Sequence, residues 1–491
     1  MFIKLKSNVI YRNYESFGYI TDNRNFGYKQ INNKEDSIGD KIISETGTVF
    51  LSILSKDPQT LDELTKKIKK IFIDVDEDII KSDAREFYLL LERDGFIVTG
   101  RTLHECKEND TPFSYSELEP QMIKKNFSEV KIHTELSTQE FLEEYFDNRP
   151  QLTNLHIEII SKCNERCLHC YIPHDNKISS MNPNLFYNII EQCKDMKLIH
   201  LTLSGGEPML HKNFTDFLRK CRENDFSVNI LSNLTLLNDE FIKEMSANPL
   251  LGVQVSLYSM DPNIHDEITQ VKGSFQKTKN AILKLIDNNI PLQISCPILK
   301  QNKNRYTHVV KWAKSHKINV GDDYGIIAKY DHTTQNLNSR LSIDEIREVI
   351  EDKFSRDSKY FEQIEFEAKK KKNIESSDFV CSVCHSSICI AENGNVYPCA
   401  GWQDYIVGNV QDNSLSEIWE NSEKVKYLRG LRNHDFPECI ECSDKEFCTM
   451  CMVRNANENP FGDPLVVNEY FCDIARLNKQ MVLEWKCNQM S

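Results

Sequence analysis

The feature that most constrains this chain is a loop with three cysteines, Cys163, Cys167 and Cys170, separated by three and then two residues. The loop directly follows an apolar run at residues 155–160, so it is predicted to leave a buried strand. Thiolates are the soft ligands that iron–sulfur clusters select, and a four-iron cube needs four of them. The motif therefore predicts a cube with one iron open to a small molecule. A structural zinc site is the alternative, but it would have to recruit the adjacent His169 as fourth ligand.

A turn is the second motif, and it follows the next strand-like run, at residues 198–203. It consists of Gly205, Gly206, Glu207 and Pro208. The two glycines let the backbone approach a ligand closely, and the glutamate places a hydrogen-bond acceptor beside it. Together, the cysteine loop and this turn resemble the CxxxCxxC and GGEP motifs of the radical S-adenosylmethionine (radical SAM) superfamily.

That resemblance implies two cofactors and a type of reaction. Cys163, Cys167 and Cys170 would ligate a [4Fe–4S] cluster, the GGEP turn would bind the amino group of SAM, and SAM would chelate the open iron. One electron would cleave SAM to methionine and a 5′-deoxyadenosyl radical, which takes a hydrogen atom from the substrate. The protein would orient these groups and exclude water.

Length, charge and cysteine content limit the other possibilities. A chain of 491 residues is expected to form about two to four domains. The formal net charge of −14 argues against a nucleic-acid partner, because binding phosphates needs a basic surface. No run is apolar enough to span a membrane and the first residues do not resemble a signal peptide, so we expect a cytoplasmic protein with no membrane partner. In a reducing compartment, 17 cysteines indicate metal binding.

Residues 1–100 are expected to form a small independent domain. The predicted elements are a ribbon with strands at residues 2–5, 17–21 and 27–31, helices at residues 37–55, 60–71 and 77–93, and a closing strand at residues 95–99. Thr60 and Glu63 have the spacing of a capping box. This pattern is typical of a winged helix, which usually binds DNA, but no long basic cluster marks a recognition helix.

The same domain resembles the PqqD-like peptide-recognition domain at the front of peptide-modifying radical SAM enzymes. The resemblance rests on Phe17 and Gly18, on the helix pattern and on the closing segment at residues 94–97. It implies that a leader peptide adds a strand to the ribbon edge, against the third helix. The groove would lie near residues 28–31 and 77–93.

Strands and helices alternate over residues 151–330. The predicted strands are residues 155–160, 198–204, 227–231, 252–258, 291–297 and 323–327, and the predicted helices are residues 184–196, 213–224, 238–246, 274–288 and 304–316. Near-continuous apolar strands of this kind predict a parallel sheet and the α/β fold class, and six such units resemble the partial (β/α)6 barrel of the radical SAM family. Chemistry in such barrels lies at the carboxyl ends of the strands. There Ser232, Asn233 and Ser256, together with His169, are candidates for binding SAM.

One segment departs from the family pattern. Related enzymes carry His-Asp-x-x-Arg after the fourth strand, whereas this chain has His265 and Asp266 followed by Thr269 in place of the arginine. Lys272 could substitute, but a lysine is not a planar bidentate group. The partner of the SAM carboxylate is therefore left unassigned.

Two connecting segments flank the predicted barrel. Residues 101–150 are expected to be a bridging linker with a short helix at residues 138–145. Residues 331–380 are expected to contain an amphipathic helix at residues 341–354 and a solvated, highly charged linker at residues 367–378.

Residues 381–491 are rich in cysteine. Taken alone, their Cys-x2-Cys-x5-Cys-x2-Cys run is typical of a zinc ribbon. A hairpin-like turn precedes it, with four residues between Gly394 and Cys399. The whole region resembles the SPASM extension of radical SAM peptide maturases, which holds two auxiliary [4Fe–4S] clusters. This chain has two residues where that family usually has three, between Cys448 and Cys451.

The SPASM resemblance implies two sets of ligands. The outer cluster would be held by Cys439, Cys442, Cys448 and Cys472. The inner cluster would be held by Cys399 and Cys451, with Cys381 and Cys384 as preferred partners and Cys389 as a spare.

The order of the three regions resembles that of maturases of ribosomally made peptides. It implies an enzyme that binds a precursor peptide by its leader and installs an intramolecular thioether from a cysteine sulfur to a carbon. An external reductant such as flavodoxin or ferredoxin would supply electrons. Carbon–carbon cross-linking is the nearest alternative, and a sulfatase-type maturase would need no leader-binding domain. A zinc-dependent winged-helix regulator is the non-enzymatic alternative, and it gives no role to the GGEP turn.

Overall fold

The computed structural model describes residues 1–14, 16–22, 39–110, 145, 149–173, 178–371 and 375–490. Two predicted segments, the strand at residues 27–31 and the helix at residues 138–145 apart from Tyr145, lie outside these residues. None of the described helices is long and apolar enough to cross a membrane.

The amino-terminal region is an α+β unit with two small antiparallel sheets. Its strands are β1 (Phe2–Leu5), β2 (Ile10–Tyr14), β3 (Phe17–Thr21), β4 (Asp40–Ile43), β5 (Gln59–Thr60) and β6 (Ile97–Gly100). Its described helices are α1 (Glu45–Ser52), α2 (Leu61–Lys69), α3 (Glu77–Arg93) and α4 (Leu103–Glu108). The strand orders are β5-β1-β6 and β2-β3-β4. The predicted ribbon is thus divided between two sheets, and the closing strand β6 pairs with β1.

One helix prediction in this unit is wrong. Residues 37–55 do not form a single helix, because β4 ends at Ile43 and α1 begins only at Glu45. The β-branched Ile42 and Ile43 favour a strand, and the Ser44 hydroxyl accepts a hydrogen bond from the Gly47 N–H at 3.3 Å, which starts the helix. The capping box at the start of α2 and the full extent of α3 are confirmed.

The central region is a parallel β-sheet in which helices connect successive strands. The strands are β7 (Asn154–Ile160), β8 (His200–Gly205), β9 (Ser227–Ser232), β10 (Leu251–Ser256), β11 (Leu292–Ser295) and β12 (Asn319–Gly321). The helices are α5 (Pro183–Asp195), α6 (Phe214–Glu223), α7 (Asp239–Ser246), α8 (Pro262–Thr269), α9 (Ser274–Asp287) and α10 (Tyr306–Ser315). Consecutive strands pair in parallel, which confirms the α/β class.

The two faces of this sheet differ in polarity. Leu203, Ile230 and Val253 are buried on one face, whereas the alternating residues Asn229 and Gln254 remain partly accessible on the other. The helices therefore cover the apolar face, and the polar face lines the inside of a partial barrel.

The position predicted for the sixth strand is wrong. Residues 323–327 are irregular, and the strand β12 ends before them, at Gly321. The Asp323 carboxylate accepts hydrogen bonds from the N–H groups of Tyr324 at 2.6 Å and Gly325 at 3.0 Å. This side-chain turn competes with strand pairing and ends the strand early.

The carboxyl-terminal region continues the barrel sheet. Its elements are α11 (Ile343–Arg356), α12 (Tyr360–Lys371), β13 (Ser387–Ile390), β14 (Asn395–Tyr397), β15 (Gly408–Asn409), α13 (Leu415–Asn421), α14 (Glu423–Gly430), α15 (Pro437–Ile440), α16 (Met452–Glu458) and α17 (Glu469–Met490). Because β13 pairs in parallel with β7, strands β7 to β15 form one nine-stranded sheet in the order β12-β11-β10-β9-β8-β7-β13-β14-β15.

The prediction of a solvated linker at residues 367–378 is wrong in its first part. These residues begin inside α12, where Phe361 and Ala368 are buried. Buried positions seven residues apart lie on one helix face, so the charged run carries an apolar stripe.

Candidate functional site

The GGEP turn is bonded to the start of the cysteine loop through its main chain. The Gly206 N–H donates to the Ile160 carbonyl at 2.8 Å, and the Glu207 N–H donates to the Lys162 carbonyl at 2.8 Å. Gly205 has a φ of +131°, and a Cβ there would lie 2.0 Å from the Ile160 carbonyl oxygen. A Cβ on Gly206 would lie 2.1 Å from the Lys162 carbonyl oxygen. Only glycine allows two strand ends to approach this closely.

Glu207 is fully buried, and its carboxylate links the end of β8 to the end of β9. One of its oxygens accepts hydrogen bonds from the Met209 N–H at 3.0 Å and the Ser232 hydroxyl at 2.8 Å, and the other accepts from the Asn233 N–H at 2.8 Å. Burial raises the pKa of Glu207 to about 7. A carboxylate has about four acceptor sites, so this group can still accept from a cationic amino group. Such a partner would offset the cost of burying the charge.

Helix α8 fixes the cysteine loop from the other side. The Arg166 N–H donates to the Thr269 carbonyl at 3.0 Å, and the Leu168 N–H donates to the Ile268 carbonyl at 2.9 Å. The last carbonyls of a helix have no partner within that helix. The end of α8 therefore provides ready acceptors that hold the loop.

The three thiols of the loop lie within electrostatic range of one another. Burial raises the pKa of Cys167 well above its ordinary value, and Glu165, Cys170 and Cys163 raise it further. The Tyr258 hydroxyl donates to the Cys167 sulfur at 3.7 Å. In the described parts of the chain, no three His, Cys, Asp or Glu side chains converge on a single-ion site. A cube binds each thiolate at a different iron, so this half-buried set of soft donors suits a cluster.

The other predicted SAM contacts lie at the same edge of the sheet. The Asn233 amide donates to the Asn164 amide oxygen at 2.9 Å, which connects β9 to the cysteine loop. Ser256 ends β10 and interacts with the Tyr258 hydroxyl. His169 packs edge-on against Tyr258, with ring centroids 5.1 Å apart. Pro208 begins a short 3-10 helix directly after Glu207. The structure brings these residues together, and their contact with SAM stays a prediction.

The segment that departs from the family pattern supports the fold of this edge. Asp266 accepts hydrogen bonds from the N–H groups of Gly273 at 2.5 Å and Phe275 at 2.9 Å, which caps the start of α9. Thr269 occupies the place of the family arginine, and its hydroxyl contacts Ser274 at 2.7 Å. Lys272 is exposed. The partner of the SAM carboxylate therefore remains unassigned.

The four cysteines predicted for the outer cluster are mutual neighbours. They lie between α15 and the start of α17, and are Cys439, Cys442, Cys448 and Cys472. Burial raises the pKa of Cys472 to about 11, with contributions from Cys448, Cys439 and Cys442. The resemblance to the SPASM extension implied this grouping.

Lys371 supports the outer group, and sequence reasoning missed it. Its ammonium donates to the Cys448 carbonyl at 2.9 Å and to the Thr449 hydroxyl at 2.8 Å. Burial lowers its pKa. The seven-residue spacing of Phe361 and Ala368 was the signal that residues here form a packed helix.

Three of the four preferred inner ligands are also neighbours. Burial raises the pKa of Cys381 to about 11, and the nearby Cys451 and Cys399 contribute. Cys384 adjoins Cys381, and Cys389 adjoins Cys399. Cys384 thus borders the trio at Cys381, whereas Cys389 borders it at Cys399.

Two residues near the inner trio were not predicted. The Arg429 guanidinium donates to the Cys384 carbonyl at 2.8 Å. Tyr171 is half-buried and lies between the two cysteine regions, since Cys170, Cys399 and Cys389 all raise its pKa in addition to desolvation and Glu158. Nothing in the sequence around Tyr171 or Arg429 indicates that either residue lies beside the inner cysteines.

A cavity of about 370 Å³ separates the GGEP turn from the cysteine-rich region. The barrel, the loop after β12 and the β13–β14 turn all contribute to its lining, which includes Glu158, Ser161, Gly206, Tyr330, Glu392 and Tyr397. The Glu392 carboxylate accepts a hydrogen bond from the Ser179 hydroxyl, so the cysteine-rich region is joined to the barrel at the cavity rim.

Two family models match this chain. Residues 157–313 match the radical SAM superfamily, and residues 381–444 match SPASM, an iron–sulfur cluster-binding domain. The chain is therefore an enzyme that contains a radical SAM domain and a SPASM domain, and its cofactors are [4Fe–4S] clusters and SAM.

Individual proteins are similar over parts of the chain. A tungsten-containing aldehyde ferredoxin oxidoreductase cofactor-modifying protein of Pyrococcus furiosus is 25% identical, over 60% of this chain and 88% of that protein. The antilisterial bacteriocin subtilosin biosynthesis protein AlbA of Bacillus subtilis is 24% identical, over 62% of this chain and 68% of that protein. The crystal structure of Streptococcus suis SuiB bound to precursor peptide SuiA superposes with a TM-score of 0.61 at 15% identity, over 96% of this chain and 100% of that chain. This likeness extends the shared fold to the amino-terminal unit.

Proposed function

We propose that this enzyme binds a ribosomal precursor peptide through the leader of that peptide and installs an intramolecular thioether from a cysteine sulfur to a carbon. The observation that carries the proposal is the shared cavity. Gly206 of the GGEP turn and Glu392 of the β13–β14 turn line the same space. A peptide side chain in that space would lie between the GGEP turn and the β13–β14 turn of the cysteine-rich region.

The comparisons support a peptide substrate. AlbA is a bacteriocin biosynthesis protein, and SuiB was crystallised with a precursor peptide. The amino-terminal α+β unit of this chain would capture the leader as an added strand, as PqqD-like domains do. A small electron-transfer protein such as flavodoxin or ferredoxin would serve as reductant.

Three [4Fe–4S] clusters would be bound. Cys163, Cys167 and Cys170 would hold the radical SAM cluster. The outer set would be Cys439, Cys442, Cys448 and Cys472, and the inner set Cys399, Cys451 and Cys381 with Cys384. When bound, SAM and its cluster would supply a radical able to take a hydrogen atom, and the auxiliary clusters would supply an electron acceptor.

The residues of the chain would position and shield the reacting groups. Glu207, held by the ends of β8 and β9, would accept hydrogen bonds from the amino group of SAM. Ser232, Asn233, Ser256 and His169 would complete that pocket. The lining of the cavity would keep water from the substrate carbon while its hydrogen is removed.

Mass spectrometry of the reacted precursor peptide tests this function. A thioether removes two hydrogens and leaves the cysteine unreactive toward iodoacetamide, because its sulfur is already bonded to carbon. A carbon–carbon cross-link removes the same two hydrogens but leaves the thiol reactive, so alkylation separates the alternatives. Conversion of the cysteine to an aldehyde would indicate sulfatase-type maturation, and a gained methyl group would contradict cross-linking.

Metal analysis tests the cofactor set independently. Three cubes correspond to about twelve irons and twelve sulfides per chain in the anaerobically purified protein. Zinc in place of iron and sulfide would instead support the regulator alternative. About four irons per chain would contradict both auxiliary ligand sets but would still be consistent with the radical SAM cluster.

A further inference from the structure

Tyr258 lies two residues beyond the end of β10, and hydrogen bonds hold its main chain on both sides. Its N–H donates to Nδ1 of His265 on α8 at 3.3 Å. Its carbonyl accepts from the Asn302 amide at 2.9 Å and from the Cys296 thiol at 3.7 Å. Asn302 is itself fixed, because its amide oxygen accepts from the Leu299 N–H at 2.7 Å. The position of Tyr258 is therefore determined by α8 and by the segment between β11 and α10.

Apolar residues enclose the side chain of Tyr258. The residue is 3% exposed and forms a buried cluster with Ile268, Leu299 and Ile326. Cys167 of the cysteine loop packs against this cluster. Water is therefore not available to replace a hydrogen bond that the Tyr258 hydroxyl loses, and a hydrogen bond in such surroundings is stronger than one in water.

The hydroxyl of this tyrosine reaches the cysteine loop, where it donates to the Cys167 sulfur at 3.7 Å. A protonated Cys167 also donates to the Glu165 carboxylate, at 3.6 Å. A thiolate bound to iron has no proton to give, but it can still accept from Tyr258. The bond from Tyr258 is thus the one of these two that is compatible with Cys167 as a cluster ligand.

We infer that Tyr258 raises the reduction potential of the radical SAM cluster by donating a hydrogen bond to Cys167. This inference rests on the proposed assignment of Cys167 as a ligand of that cluster. Hydrogen bonds to the sulfurs are among the features that set cluster potentials. Reduction adds one negative charge, so a donor to a ligand sulfur stabilises the reduced form more than the oxidised form. Because Tyr258 acts through Cys167, it is a positioning residue.

The variant Tyr258→Phe tests this role, because it removes the hydroxyl and keeps the aromatic ring. The cluster-loaded, full-length protein is titrated with a reductant in the absence of peptide and followed by electron paramagnetic resonance. The radical SAM cluster is identified by the signal that changes when SAM is added to a parallel sample. The equilibrium constant for its reduction should fall about three- to tenfold, which is a potential about 30–60 mV more negative for one electron. An unchanged potential would overturn the inference.

Tyr88→Phe is the matched control. Tyr88 is fully buried in the amino-terminal unit, and its hydroxyl donates to the Phe50 carbonyl at 2.9 Å. This variant loses the same chemical group from a buried position in a different region of the chain, so its cluster potential should equal that of the unchanged protein. An equal shift in both variants would contradict a specific role for Tyr258.

Replacement of Tyr258 by 3-fluorotyrosine gives a second measurement that keeps the hydroxyl. The fluorinated phenol is more acidic and donates more strongly, so the potential should become more positive. A merely structural role would not reverse the sign of the shift. A shift in the same direction as that of Tyr258→Phe would overturn the inference, even if Tyr258→Phe does not fold.

The variant Cys167→Ala separates this inference from the ligand assignment on which it rests. Loss of the SAM-dependent signal in Cys167→Ala, together with an unchanged potential in Tyr258→Phe, would contradict the role of Tyr258 alone. If Cys167→Ala keeps that signal, the proposed ligand set fails, and the role of Tyr258 fails with it.

Discussion

The cysteine loop after β7 and the outer cysteine group both present thiols, but different bonds hold them. Main-chain hydrogen bonds from the GGEP turn and from α8 fix the loop, and glycines permit the close approach. Side chains near the surface support the outer group, among them Lys371 and the pair of Lys479 with Asp444 at 2.9 Å. Ion pairs close to solvent contribute little stability, whereas buried hydrogen bonds are costly to break. The loop is therefore shaped by the fold itself, and we expect the outer group to depend more on the cluster proposed for it.

The substitution Gly206→Ala should disrupt the loop most strongly. The new Cβ would lie 2.1 Å from the Lys162 carbonyl oxygen, so the turn and the loop must separate. We expect SAM cleavage by the reduced enzyme to be lost and the free energy of unfolding to fall by about 2 kcal/mol or more. Gly430→Ala is the matched control, because nothing lies within 4 Å of its Cβ position. Normal SAM cleavage by Gly206→Ala would show that the close approach is not needed.

The substitution Glu207→Gln should have a smaller effect on the same site. One carboxylate oxygen becomes an amide NH2 that faces a hydrogen-bond donor, which costs about 1–3 kcal/mol in a buried position. SAM affinity of the cluster-loaded protein, measured by calorimetry, should weaken about tenfold through loss of a charge-assisted hydrogen bond. Unchanged affinity would remove Glu207 from the SAM pocket. The exposed Glu223, changed to Gln, is the control.

Glu207 also predicts how the stability of the cofactor-free protein depends on pH. Its pKa is about 7 in the folded protein, against an ordinary value of 4.5. Between these values the folded protein holds the proton and the unfolded chain has lost it, so this residue makes the free energy of unfolding fall as pH rises from about 4.5 to about 7. Denaturant unfolding at several pH values should show that Glu207→Gln removes this part of the slope. An identical slope in both proteins would contradict the raised pKa.

Lys371→Ala should have the smallest effect and should act only on the outer group. Loss of the bonds to the Cys448 carbonyl and the Thr449 hydroxyl should cost about 1 kcal/mol of stability. In the loaded protein it should speed loss of outer-cluster iron to a chelator, while SAM cleavage persists. Lys369→Ala, which removes an exposed ion pair with Glu365, is the control and should retain iron normally. Equal iron loss in both variants would assign no special role to Lys371.

Local patterns predicted the parts of the molecule that local interactions determine. The barrel strands up to β11, the helices between them apart from α8, and the capping box of α2 follow from apolar periodicity and end signals. The proximity of the four outer cysteines was expected from the SPASM resemblance, and three of them are also close in sequence. The errors arose where one residue outweighed the pattern, as Ser44 does before α1 and Asp323 does after β12.

Tertiary contacts that sequence spacing does not contain determine the rest of the site. Cys384 fits the spacing before Gly394 that the SPASM resemblance implies and Cys389 does not, yet both border the inner trio, through different neighbours. Whether Cys384 or Cys389 lies nearer the inner cluster depends on how β13 pairs with β7, and this pairing places Cys389 opposite His156. Lys371 and Tyr171 were missed for the same reason, because their partners are distant in sequence or belong to another region.

The pairing of β13 with β7 also has a consequence for how the chain folds. It joins Ser387 to Asn154, which are separated by more than two hundred residues, so this edge of the barrel can close only late in synthesis. Until then β7, the strand that leads into the cysteine loop, presents an open edge able to pair with other chains. A protein truncated near residue 330 should therefore aggregate. In the growing chain, the strand beside the radical site is covered only when the cysteine-rich region arrives.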